Sequence, residues 1–417
     1  MSTTTGAAFR FLVLHNSYST FFCLLSLYAA VRYLETKRST WAFVTGSLAS
    51  LTFMMEQSKG AGLYLGLLFG LFILPKASGS KALLGSGSWM LSGLAWPLGF
   101  AAVYFAVRHS LKVMLQSWLW PVGHYAHANR VPYGFQNWSD AGRELIFHTG
   151  PLWLRLIKIL TISPGLVLPA LPIIGFGLLI YCAGRTRRTE ESSAEMLYYV
   201  LICSVSTGLF ISVVITRADV LHFMYLAPVW YLELAWILGA QGFRSRLLVA
   251  SRPYLTTYVG AAFGLLALAV LLSATGARNR VQTRRGAIMS GGSDTVINYV
   301  ESHLAPGAQL LVYPYLPLYN YLTMTRSPSR YLYFQPGMNT SEQGEEIVAS
   351  LQTEKTVLLE PWFAEKIPNS WPTTKLGAIA RDPVADYIVR NYRICKILHS
   401  PEGWRFQYMT RKDAPCP

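Results

Sequence analysis

Cysteine is scarce in this chain, five in 417 residues. None stands in a C-x-x-C or other zinc-ligand spacing, which excludes a cysteine-built metal centre. Acidic residues are also few, 21 against 36 lysines and arginines, for a formal net charge of +15. In a soluble protein that excess would suggest nucleic acid, but much of it lies in short loops between apolar stretches, where membrane topology and anionic lipid account for it. Nucleic acid is therefore not an expected partner. No useful internal repeat, low-complexity tract or nucleotide-binding glycine motif is present. Met1 to Gly6 lack the basic start of a cleavable leader.

Long apolar stretches, by contrast, fill residues 16 to 275. A hydrocarbon core about 30 Å thick needs about 20 mainly apolar residues per helix. On that criterion the sequence predicts about eight spans. They are Asn16 to Leu34, Trp41 to Gln57, Gly60 to Leu74, Ala82 to Val107, Ile162 to Cys182, Met196 to Thr216, Ala218 to Gly239 and Pro253 to Thr275. The expected fold is thus an α-helical transmembrane bundle over 1–275, with a long outer loop at 108–161. A small soluble α/β domain over 276–417 follows. The second and third stretches are separated by Glu56-Gln57-Ser58-Lys59-Gly60, read as a turn between two helices rather than a re-entrant kink.

Basic residues set the expected orientation. Arg32, Lys37, Arg38, Lys76, Lys81, Arg185, Arg187, Arg188, Arg244, Arg246 and Arg252 lie in one set of alternate loops; the opposite short loops offer only Lys59 and Arg217. Because Lys and Arg are retained on the cytoplasmic side, the N-terminus, His109 to Thr161 and the C-terminal region are expected outside the cytoplasm of a cell inner (plasma) membrane. Cys395 and Cys416 then fall where a disulfide is possible.

The C-terminal region reads as alternating helix and strand after a basic linker, Arg278 to Arg285. Ser293 is expected to cap a helix carrying Val296, Ile297, Val300 and Leu304, stopped by Pro306-Gly307. Leu310 to Tyr313 and Thr356 to Leu359 are strand candidates, and Thr340 with Gln343 forms a capping-box signal between them. Val384 to Tyr392 reads as a helix; Ile394 to Leu398 and Arg405 to Met409 read as a hairpin about Pro401-Glu402-Gly403.

Three polar constellations are expected to meet at the outer surface. Glu56 with Lys59 is either an interfacial pair with a snorkelling lysine or a lipid-phosphate site in which Glu56 orients the lysine or serves as a base. Arg217-x-Asp219-x-x-His222, with Tyr225 one turn on, places Asp219 and His222 on one helix face. Such a cluster is costly against lipid, so it is either a salt-bridged cap or a site where Arg217 holds phosphate and Asp219 or His222 positions an acceptor hydroxyl. The third is the segment with Trp118, Trp120, His124, Tyr125, His127, Arg130, Tyr133, Trp138, Asp140 and Glu144. It suits a headgroup-level loop, or a sugar and pyrophosphate site in which aromatic faces stack on sugar and cations hold phosphate. His124 and His127 have no carboxylate at a familiar ligand spacing, so neither metal nor another cofactor is expected. Gly62, Gly66 and Gly70 predict close helix packing. Glu233, about 21 Å along the helix from Asp219, is too deep for that cluster and is expected to be protonated or hydrogen-bonded within the bundle.

The run Tyr18-Ser-Thr-Phe-Phe22 through Leu27 to Glu35, then Gly46 to Phe53 with Lys59-Gly60, resembles a helix pair of the GT-C polytopic membrane glycosyltransferases. The similarity is to bacterial relatives of protein mannosyltransferases and the lipid A aminoarabinose transferase. Arg217-x-Asp219-x-x-His222 and the region from Tyr313 to Arg330-Tyr331 are also similar. The resemblance implies transfer of a sugar from a polyprenyl-phosphate donor, in membrane lipid, to an extracytoplasmic acceptor with inversion at the anomeric carbon. The family carries its catalytic acid in the first outer loop, whereas this chain has no acid before Glu35. No catalytic base is carried over, and the resemblance implies that the family's first helices lie upstream of Met1 and that this chain alone is incomplete or inactive. The alternatives are a transporter or flippase of lipid-linked sugars, with Glu233 and Arg217 on the pathway, and a non-catalytic membrane scaffold.

Overall fold

The computed structural model describes residues 15–73, 83–120, 130–134, 148–177, 194–239, 246–276, 279–290, 292–314, 316–334, 339–361, 382–401 and 403–417. These divide into a helical unit up to Ala267 and a terminal unit from Leu268 onward.

The helical unit begins with α1 (His15–Thr36), α2 (Ser39–Met55) and α3 (Gln57–Leu68), the last running into a π-helical turn at Phe69–Ile73. α4 (Leu83–Val107), α5 (Leu111–Trp120), α6 (Leu152–Val167), α7 (Ala194–Thr216), α8 (Val220–Gly239) and α9 (Arg246–Gly276) follow. α2 and α3 are separate helices because Glu56 is extended, at φ −154° and ψ 104°. The turn is so tight that a Cβ on Gly60 would lie 2.2 Å from the Phe53 Cα.

Packing follows the small residues. A Cβ on Gly62 would meet the Gly208 carbonyl oxygen at 2.4 Å, and one on Gly66 the Ser204 carbonyl oxygen at 2.6 Å, so α3 and α7 touch backbone to backbone. Around this seam Leu63, Leu67, Leu201, Val205, Leu209, Phe223 and Trp230 form a buried core.

The expected bundle of about eight spans is not what folds. Among the described residues, two helical segments are long and apolar enough to cross a membrane. Gly87–Val107 has a mean hydropathy of 1.6, and Leu197–Thr216 one of 2.1. The physical reason is length and interruption. α2 has 17 residues, and the regular α-helical parts of α3 and α6 have 12 and 16 before π- and 3-10 turns interrupt them, at or below the lower end of what a crossing needs. α8 carries His222, Glu233 and an internal Pro228, and α9 opens on Arg246 with Arg252 a few residues on. α4 differs: Trp96, Phe100, Val103 and Val107 are each more than 60% exposed, an apolar face that water does not favour and membrane association accommodates.

The stretch expected as a basic linker, Arg278 to Arg285, is from Asn279 onward part of an antiparallel hairpin, β1 (Asn279–Thr283) with β2 (Gly286–Ser290). Its turn is pinned by Arg284, which donates to the Thr323, Glu301 and Leu304 carbonyls. α10 (Thr295–His303) is capped not by Ser293 but by Asp294, whose carboxylate accepts from Val296 N at 2.8 Å and Ile297 N at 3.1 Å. β3 (Leu311–Tyr313), α11 (Leu318–Thr323), α12 (Ser341–Leu351), β4 (Thr356–Leu359), α13 (Pro383–Asn391), β5 (Tyr392–His399) and β6 (Arg405–Arg411) complete the unit. The sheet order is β3-β4-β6-β5, with β3 and β4 parallel and the other pairs antiparallel. Helices cover both faces: Val296, Ile297 and Val300 pack with Val312, Leu358, Phe406 and Tyr408 on one, and Ile347, Leu351, Val384 and Ile388 with Leu311, Val357 and Met409 on the other. Cys395 and Cys416 form a disulfide with Cα atoms 5.6 Å apart.

Candidate functional site

Several buried polar and charged side chains of the helical unit meet at one junction. The first turns of α1 contribute the Asn16 carbonyl, Ser19 and Thr20; the start of α3 contributes Lys59; the loop between α7 and α8 contributes Arg217 and Asp219; and the first turns of α8 contribute His222 and Tyr225. Lys59 is 1% exposed. Its ammonium donates to Ser19 Oγ at 2.8 Å and Thr20 Oγ1 at 3.3 Å, reaches the Asn16 carbonyl at 3.4 Å, and pairs with Glu56 Oε2 at 2.9 Å. Three N–H bonds facing four acceptors leave no hydrogen for a ligand phosphate in this arrangement. The lysine therefore neither snorkels nor presents itself to phosphate; it is a buried tie between α1 and α3.

Arg217 is similarly committed. Its Nε lies 2.5 Å from Asp219 Oδ2, and both residues are buried. The other carboxylate oxygen, Oδ1, is 2.6 Å from His222 Nδ1 and accepts from the His222 backbone N–H at 2.8 Å. Burial pushes the Asp219 carboxyl up, but the hydrogen bond and charge of His222, the Arg217 guanidinium and the His222 N–H outweigh it and hold it below the usual carboxylate value. When the imidazole is neutral with Nδ1–H toward Asp219, Nε2 carries an acceptor lone pair. The His222 side chain is 29% exposed.

Tyr225 joins the two clusters. Lys59 Nζ sits 5.6 Å from its ring centroid, the His222 ring meets it edge-on at 6.2 Å, and its carbonyl accepts from Thr20 Oγ1 at 2.9 Å. The third constellation reaches the same corner in part. Gly134 N donates to the Ala218 carbonyl at 2.8 Å, and the Tyr133 ring lies 5.0 Å from that of Phe223. Arg130, on the same stretch, is exposed. Trp118 packs edge-on against Phe53, one helical turn before Glu56. His124, Tyr125, His127, Trp138, Asp140 and Glu144 lie outside the described residues. Among the described residues no three His, Cys, Asp or Glu side chains gather as a metal site.

Asn16, Ser19 and Thr20 are site residues that sequence reasoning missed. The available signal was a hydroxyl pair in the first turn of an otherwise apolar helix, which ordinarily bonds back to its own backbone, as Ser19 and Thr20 also do to Asn16. Glu233 is fully buried, away from this junction, where Ser206 Oγ donates to Oε2 and Cys203 Sγ to Oε1. A Cβ on Gly175 would lie 2.1 Å from Glu233 Oε1, so a side chain there would displace the Glu233 carboxylate.

Set against known proteins, the chain matches no family model, no curated protein and no solved structure.

Proposed function

We propose that this chain is a membrane glycosyltransferase moving a sugar from a polyprenyl-phosphate donor to an extracytoplasmic acceptor hydroxyl, with His222 as the base. The observation that carries the reading is the oriented dyad: Asp219, clamped by Arg217, lies 2.6 Å from His222 Nδ1, and the His222 side chain is partly exposed. As the acceptor oxygen attacks the anomeric carbon, its proton passes to Nε2 and Asp219 stabilises the imidazolium. The C–O bond to the lipid phosphate breaks with inversion, and Arg130 is the cation assigned to the departing phosphate. Glu56 and Lys59 hold α1 and α3 so that Tyr225 and His222 keep their places. On this reading the chain lies in the cell inner membrane in more than one pass, with the terminal unit extracytoplasmic.

The test is transfer of radiolabel from a polyprenyl-phosphate sugar in lipid vesicles holding the purified chain. His222→Gln is expected to lower turnover by about a hundredfold or more. Asp219→Asn is expected to lower it while leaving donor binding intact. Unchanged turnover in His222→Gln ends the proposal.

The buried Glu233 favours a second reading, transport of the lipid-linked sugar. A carboxylate enclosed among α7 and α8 suits proton-coupled movement better than acyl or glycosyl chemistry. Label that crosses the bilayer without product, and that Glu233→Gln stops, would select this reading.

A further inference from the structure

The terminal unit contains an open cleft of about 650 Å³, walled by the β1–β2 turn, α11 and the segment that follows it. Arg285, Arg326 and Arg330 line it, with Ser327 and Ser329 between them, and none of the described lining residues is acidic. We propose that this cleft binds the phosphate of a phosphorylated small molecule or lipid headgroup, independently of the His222 junction.

The backbone beneath the cleft is fixed before any ligand arrives. α11 ends at Met324, in the left-handed region at φ 55°, and the chain then runs beside the entry to β3. There Gly307 N donates to Met324 O, Arg326 N to Ala308 O and Leu310 N to Arg326 O, all at 2.8 to 2.9 Å. On the opposite wall Arg284 anchors the hairpin turn through its three carbonyl acceptors, which sets the start of its neighbour Arg285. The Arg285 guanidinium lies over the Tyr321 ring at 4.9 Å.

The charges are unequal in their commitments. Arg330 is matched by Glu346, through Nε to Oε1 and Nη2 to Oε2, each at 2.8 Å. Arg285 and Arg326 have no acidic partner among the described residues. Two exposed guanidiniums without an acidic partner give the cleft a positive potential that attracts an anion. A guanidinium offers paired N–H donors that match phosphate oxygens, and the Ser327 and Ser329 hydroxyls, already accepting from Ser329 N and Tyr331 N, keep their own protons to donate. Pro317, Met324 and Leu332 supply an apolar wall, and the volume suits a sugar phosphate or a headgroup rather than a bare ion.

The experiment uses the full chain in phosphatidylcholine nanodiscs. Calorimetric titration with inorganic pyrophosphate is one arm, and co-sedimentation with phosphatidylcholine vesicles, with and without phosphatidic acid, is the other. Arg326→Ala, at an exposed position outside both cores, is expected to weaken binding about tenfold or more, with Arg326→Lys between it and the unaltered chain. Lys355→Ala, an exposed charge loss away from the cleft, is expected to change nothing. Binding in the first arm assigns a soluble ligand, and binding in the vesicle arm alone assigns a lipid. The proposal falls if neither arm binds, or if Lys355→Ala weakens binding as much as Arg326→Ala.

Discussion

The side chains that matter most in the helical unit work in opposed pairs. Removing one member of a buried ion pair strands the other, which costs about 3–5 kcal/mol, whereas replacing both with apolar residues is often neutral. Lys59→Met is therefore expected to lower the unfolding midpoint more than the double change Lys59→Met with Glu56→Leu. Thermal unfolding followed by size-exclusion fluorescence in one detergent compares them directly. In the terminal unit the corresponding pair is Tyr313 with Asp382: the hydroxyl donates to the carboxylate, which also caps α13 by accepting from Val384 N and Ala385 N. Burial raises the Asp382 carboxyl despite these hydrogen bonds, and burial followed by the Asp382 charge raises the Tyr313 hydroxyl well above its usual value. Both shifts are upward, so the native chain holds more protons than the unfolded one, and stability falls as pH rises through each window. The second window opens near pH 10, where an unfolded tyrosine ionises. Tyr313→Phe is expected to flatten the alkaline limb of a plot of Tm against pH. A limb of unchanged slope would refute the linkage.

At the level of elements, legibility depended on how local the cause was. The capping box at Thr340 and Gln343 is present in full, because two residues three apart suffice to make it. Thr340→Ala is expected to destabilise the unit by about 1 kcal/mol, measurable by denaturant unfolding of the full chain. The β4 strand and the β5–β6 hairpin could be read for the same reason: their alternation and turn residues are contiguous. What Arg278 to Arg285 does could not be read, since the Arg284 acceptors lie up to 39 residues away, at Thr323. The cap of α10 was displaced by one position because Asp294 and Ser293 are both competent and only tertiary context chooses. On α3 the glycine spacing correctly indicated close packing, but the partner, α7, was invisible without coordinates. Gly62→Leu would force α3 from α7, and a loss of about 1–3 kcal/mol is expected from overpacking. Leaving the unfolding midpoint unchanged would show that the seam yields.

For the molecule as a whole, hydropathy located the helical unit and miscounted its crossings. An apolar stretch records composition, whereas a span also requires an unbroken regular helix of sufficient length; α2 is short, and α3 and α6 change to π- and 3-10 turns. The convergence of Lys59, Asp219, His222 and Tyr225 was expected from assumed sidedness, yet the contacts that produce it are helix-to-helix bonds from Ser19 and Thr20. The sequence held no periodic signal for those bonds. With two helices among the described residues long and apolar enough to cross a membrane, one largely unburied, the chain is expected to stay in the pellet after an alkaline carbonate wash of membranes. Release into the supernatant would count against membrane association.

The irregularity in β5 has a consequence for behaviour in solution. The ladder with β6 slips between Ile394 and Lys396, so Cys395 is the surplus residue, and it stands on the strand at the open margin of the sheet. A strand bent there, with its sulfur bonded to that of Cys416, is a poor template for a neighbouring chain. Deleting residue 395 would straighten that margin and bare Ile394 and Ile397, already half exposed, to self-association at high protein concentration.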